Sequence, residues 1–97
     1  MPTCVTLMKF TERGIRHVRD TVKRADAFWS RAKKHGVTVK EMIWTQGAHD
    51  FVTIFEAPDD ETATAVILSD TELGNIRTET MRGFTAAEME KLLAKVD

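Results

Sequence analysis

Ninety-seven residues, 42% of them hydrophobic and 30% charged, describe one small globular domain over residues 1–97, neither a disordered chain nor a membrane one. A chain of this length buries roughly two thirds of its unfolded surface, enough for one core but not for a deep, enclosed cofactor pocket inside a single copy. Fourteen Lys and Arg against fifteen Asp and Glu leave a net charge of -1, which provides no global polycation for nonspecific nucleic-acid binding.

Residues 3 to 10 (TCVTLMKF) alternate as a first strand, with Val5 and Leu7 on one face and Cys4, Thr6, Met8 and Phe10 on the other. Cys4, the single cysteine, cannot form an internal disulfide, and no CxxC pair or Cys/His cluster offers a zinc site, so it reads as a small buried residue in a reducing compartment. Residues Met1 to Leu7 lack both a charged n-region and a long apolar h-region, and no stretch approaches the roughly 18 apolar residues of a membrane span. The expectation is a cytoplasmic protein with no membrane partner.

Thr11 can cap a helix whose apolar stripe is Ile15, Val18, Val22, Ala25, Trp29 and Ala32, ended by Gly36 after the cationic turn Lys33, Lys34, His35. Residues 37 to 45 (VTVKEMIWT) read as a second strand, 46 to 50 as a short connection, and 51 to 57 (FVTIFEA) as a third, with Phe51, Thr53 and Phe55 opposite Val52 and Ile54. Pro58 ends that strand, and Asp59, Asp60 and Glu61 place negative charge at the start of a helix running to about Leu73. Gly74-Asn75 breaks it, residues 76 to 84 suit a fourth strand, and Thr85-Ala86-Ala87-Glu88 has capping-box spacing before a last helix with the stripe Ala86, Met89, Leu92/Leu93 and Val96.

The order β-α-β-β-α-β with a C-terminal helix predicts an α+β, ferredoxin-like domain, two helices covering one face of an antiparallel sheet. Strands one and three are central in this topology, and neither has a polar side. The two long helices cover one face only, so a second copy of the chain is the simplest cover for the other.

Gly14-Ile15-Arg16, Lys23 to Ala27, Val39-Lys40-Glu41, Trp44-Thr45, Gly47, Asp50, Glu56 to Glu61, Gly74 to Thr80 and Arg82-Gly83-Phe84 together resemble the GYD-domain proteins of bacteria and archaea. The resemblance covers about residues 3 to 95. It implies a ferredoxin-like domain akin to the dimeric α/β-barrel proteins, assembled as a homodimer or higher oligomer, and it passes on no catalytic residues. Two departures stand out. The family's Gly-x-Tyr-Asp element reads Gly47-Ala48-His49-Asp50, in a chain with no tyrosine. Val22 stands where members often carry proline, and losing that breaker favours one continuous helix from about Glu12 to His35, with a break near Asp20-Thr21 as the alternative.

Five residues expected near strand ends form the candidate ligand set: Trp44, His49, Asp50, Arg77 and Glu79. His49 and Asp50 pair an imidazole with a carboxylate, the equipment of a general base, although as turn residues Asp50 satisfies backbone amides and His49 is simply exposed. Arg77 and Glu79 share one face of the fourth strand, where Arg77 can hold a carboxylate or phosphate and Glu79 can move a proton; on a solvated edge the same pair guards against aggregation. Trp44 with Met42, and Phe51/Phe55 with Met8 and Phe10, are either pocket lining or interface filler.

No metal or cofactor is implied: a metal at His49-Asp50 needs a third ligand from His17, Glu56 or Glu79, and no phosphate loop, nucleotide fingerprint or Ser-His-Asp order is present. Residues 11 to 36 concentrate eight basic groups (Arg13, Arg16, Arg19, Lys23, Arg24, Arg31, Lys33, Lys34) against Glu12, Asp20 and Asp26, the pattern of a solvated helix face. Arg82-Gly83-Phe84 falls on the fourth strand, not the third where the RNA-recognition module carries such a run, so no nucleic-acid partner is expected. The leading expectation is a homo-oligomeric domain binding a small, partly apolar organic molecule in a sheet or subunit cleft. The alternative, by fold analogy, is a cofactor-independent isomerase or monooxygenase-type enzyme using His49 or Glu79.

Overall fold

Alternating side chains put β1 (Thr3–Phe10) and β3 (Phe51–Glu56) at the centre of the sheet in the computed structural model, which describes residues 1–97. The strand order is β2-β3-β1-β4, with β2 at Thr38–Trp44 and β4 at Ile76–Gly83, and every neighbouring pair is antiparallel. Cys4, Thr6 and Met8 of β1 and Phe51, Thr53 and Phe55 of β3 are buried beneath the helices, with Phe28, Ala32, Ala63, Val66 and Ile67 packed onto them. The Thr6 hydroxyl, fully buried, shares a 2.9 Å hydrogen bond with that of Thr80 on β4. This is the expected ferredoxin-like α+β arrangement.

The continuous first helix that the sequence favours is instead broken, close to the alternative at Asp20-Thr21. α1 (Glu12–Arg16) gives way to a 3-10 turn at Val18–Asp20, and α2 runs over Thr21–Lys34. The break follows from how α1 is anchored. The Thr11 hydroxyl accepts the Gly14 N–H at 3.0 Å and donates to the Gly74 carbonyl at 2.6 Å, while the Thr11 N–H donates to the Asn75 carbonyl at 3.0 Å. Gly14 is pressed so closely on Asn75 that a Cβ there would lie 1.9 Å from the Asn75 oxygen. With α1 fixed to the loop ahead of β4, the chain must turn at His17 to cross the sheet, and the His17 carbonyl accepts both the Asp20 N–H at 3.0 Å and the Arg24 guanidinium at 2.9 Å.

The turn also resets the helical phase. Ile15, Val18 and Val22 stay exposed, and the residues of α2 that meet the sheet are Ala25, Phe28 and Ala32; Phe28 is 1% exposed where the expected Trp29 is 44% exposed. α3 (Asp60–Thr71) is capped by Asp59, whose carboxylate accepts the Thr62 N–H at 2.7 Å, and is tied to α2 by Arg31–Asp70 at 2.9 Å. Burial pushes the Asp70 carboxyl up from its ordinary range, against the pull of Arg31. α4 (Ala86–Leu93) has the expected reciprocal capping box of Thr85 and Glu88, but none of its residues is buried. No helix is long and apolar enough to cross a membrane.

Candidate functional site

The other sheet face carries no helix. Across the strands in register, Glu41, Ile54, Val5 and Met81 make one row; Ile43, Val52, Leu7 and Glu79 the next; and Lys9 stands opposite Arg77 at the end. Six of these side chains are apolar: Val5, Leu7, Ile43, Val52, Ile54 and Met81. Ile43 and Met81 are 50% and 45% exposed. The charged residues gather at the margins, with Lys40 paired to Glu56 at 3.1 Å along one side.

A β-bulge between Val39 and Glu41 decides what β2 contributes to this face. It adds a residue and inverts the alternation, so that Glu41 and Ile43 point to the open side while Met42 and Trp44 turn toward the helices. Trp44 stacks on Phe51 with ring centroids 5.2 Å apart and donates from its indole N–H to the Thr21 hydroxyl at 3.0 Å. It is therefore a strut between β2, β3 and α2.

The loop between β2 and β3 is held by hydrogen bonds within itself and to β1. Thr45 donates its hydroxyl to the His49 carbonyl at 2.7 Å, and the Asp50 N–H donates to the Met8 carbonyl at 2.8 Å. The Asp50 carboxylate accepts the Phe10 N–H at 2.8 Å, the turn-satisfying role open to it in sequence. His49, so positioned, reaches across the end of β1 to Glu79, with Nε2 3.6 Å from a carboxylate oxygen. Leu7, Lys9, His49, Arg77, Thr78 and Glu79 enclose a shallow depression of about 320 Å³.

Of the five expected ligand residues, the fold thus gathers His49, Arg77 and Glu79 in one corner of the open face. Trp44 lies on the opposite side of the sheet, and Asp50 is held to the backbone of β1 beside that corner. Lys9 was missed. Its alternation with Val5 and Leu7 puts it on the open face, but its facing Arg77 depends on strand register, which the sequence does not display. No group of three or more His, Cys, Asp or Glu side chains is arranged to hold a metal.

A second hollow, about 280 Å³, lies between α3 and β4 and is lined by Cys4, Asp60, Ala63, Thr64, Ile67, Leu68, Thr80 and Arg82. Burial pushes the Cys4 thiol up and keeps it protonated, which suits a packing residue rather than a nucleophile.

The GYD domain family model matches residues 4–93, spanning all four strands and all four helices. The chain belongs to the GYD-domain family. Among curated proteins no relative matches this GYD domain. Among solved structures it is similar to the crystal structure of MtbAldR, with a TM-score of 0.62 and 12% sequence identity over 87% of this chain and 53% of that one. The GYD chain thus spans about half the length of that protein, and the likeness is one of fold.

Proposed function

We propose that this GYD domain works as a cytoplasmic homo-oligomer, pairing its open sheet face with that of a second copy as dimeric α/β barrels do, and that it binds a small, partly apolar organic molecule in the corner formed by His49, Arg77 and Glu79. The observation that carries this reading is the six-residue apolar block on a face that no element of the same chain covers. Stacking two such faces removes both blocks from water, and the hydrophobic gain scales with the apolar area covered. The depression touches the block through Leu7, so a ligand there meets apolar surface on one side and charge on the other. The unpaired, buried Cys4 suits a reducing compartment.

The 3.6 Å approach of His49 to Glu79 favours a second reading, a cofactor-independent isomerase or monooxygenase-type enzyme in which the imidazole moves a proton. Native mass spectrometry of protein taken directly from its host tests the ligand. An organic adduct on wild type that is depleted in both His49→Gln and Arg77→Gln supports the placement, and an adduct retained by both refutes it. Turnover of lactone, quinone or enol substrates that is lost in His49→Gln would select the enzyme reading.

A further inference from the structure

We propose that the corner bounded by Lys9, Arg77 and His49 takes a monocarboxylate with an apolar tail, a ligand class that rests on the small-molecule reading above. The reason lies in the register. Lys9 and Arg77 are direct cross-strand partners on the open face, and like charges placed directly opposite each other destabilise a sheet. Neither has an acidic partner within the chain: the Lys and Arg ion pairs are Arg16–Glu12, Arg31–Asp70 and Lys40–Glu56. Asp50, the other acid beside the corner, already accepts the Phe10 N–H.

Charge and shape select the ligand. Neither Lys9 nor Arg77 has an ion-pair partner, whereas the Glu79 carboxylate lies 3.6 Å from His49 and the Asp50 carboxylate is taken up by the Phe10 N–H, so the donors of the two cations stay open to a ligand. The planar guanidinium of Arg77 offers two parallel N–H donors to the two oxygens of a carboxylate, and the Lys9 ammonium adds a third donor from the facing strand. Glu79 opposes a second negative charge, which disfavours a phosphate dianion. Leu7 is the apolar wall of the depression and continues along the face into Val5 and Val52, apolar surface for an alkyl or aryl tail. At about 320 Å³ the hollow is at the small end of ligand sites, which run from about 300 to 1,000 Å³.

Amide NMR titration of the full chain with hexanoate, 1-hexanol and inorganic phosphate tests this. Hexanoate should shift the amides of Leu7, Lys9, Thr78 and Glu79 and bind about tenfold or more tighter than 1-hexanol. Lys9→Gln and Arg77→Gln should each weaken hexanoate by about tenfold while leaving 1-hexanol unchanged. Both side chains are exposed, and the amide spectrum itself reports that each variant is folded. Equal binding of 1-hexanol and hexanoate would overturn the carboxylate assignment while sparing the small-molecule reading. Hexanoate binding insensitive to both substitutions, or matched by phosphate, would overturn the assignment as well. Silence of all three probes would overturn the carboxylate assignment, while the small-molecule reading stands or falls on the native mass spectrometry above.

Discussion

The two faces of the one sheet are built from alternate residues of the same strands, and they have opposite fates. On the helix side Thr6, Met8, Thr53 and Phe55 are each 0% exposed, whereas one residue along, Val5, Leu7, Val52 and Ile54 are only half buried, by one another. Composition does not distinguish the faces, since the open one is at least as aliphatic as the covered one. The difference is in what the chain has left to offer. α2 and α3 seal one side, and α4, with Met89, Leu93 and Val96 exposed, seals neither. A covered face holds the monomer together; an equally apolar uncovered face is what the proposed association would bury.

The largest effect should come from the sealed side. Phe55→Ala is expected to cost about 3–5 kcal/mol in chemical denaturation, a large part of a small domain's whole stability. Its neighbour Ile54, pointing the other way, should behave differently: Ile54→Lys is expected to cost the isolated monomer about 1 kcal/mol while abolishing association in sedimentation. Equal losses from the two, measured where the protein is monomeric, would erase the distinction between the faces. Asp50→Ala should fall between, at about 1–2 kcal/mol, because it leaves the part-buried Phe10 N–H without an acceptor, and hydrogen exchange at Phe10 should accelerate.

The smallest effect is a pH dependence with opposite signs at the two ends of α3. Hydrogen bonds from Thr62 hold the Asp59 carboxyl below its ordinary 3.8, so its contribution is present above that value and lost as the pH falls through the folded one. The stability gap between wild type and Asp59→Asn should therefore close on acidification. Asp70, raised by burial, contributes stability below 3.8 that is lost as the pH rises through its folded value. The gap between wild type and Asp70→Asn should accordingly shift in favour of wild type as the pH falls. Denaturation curves across the acid range check both, and gaps that move in the same direction would contradict these environments.

What was legible in the sequence was whatever one strand or one cap decides alone. The alternation of β1 and β3, the acidic start of α3, the Thr85 cap and the central position of the two apolar strands all read correctly. The continuous first helix misread because its break is imposed from a distance, by the close approach of Gly14 to Asn75. A stripe running straight through that break lands on Trp29 in place of Phe28. Trp44 faces the helices, away from the other expected ligand residues, because the bulge at Val39/Glu41 inverts β2 and leaves no mark in composition. Lys9 escaped notice because its meaning depends on Arg77, 68 positions along and directly opposite it in the sheet.

Sedimentation velocity on the wild-type chain over a wide concentration range bears most directly on the open face. A dimer or larger assembly that Ile54→Lys converts to a folded monomer is the predicted result. A wild-type chain that stays monomeric at the highest concentrations would contradict it.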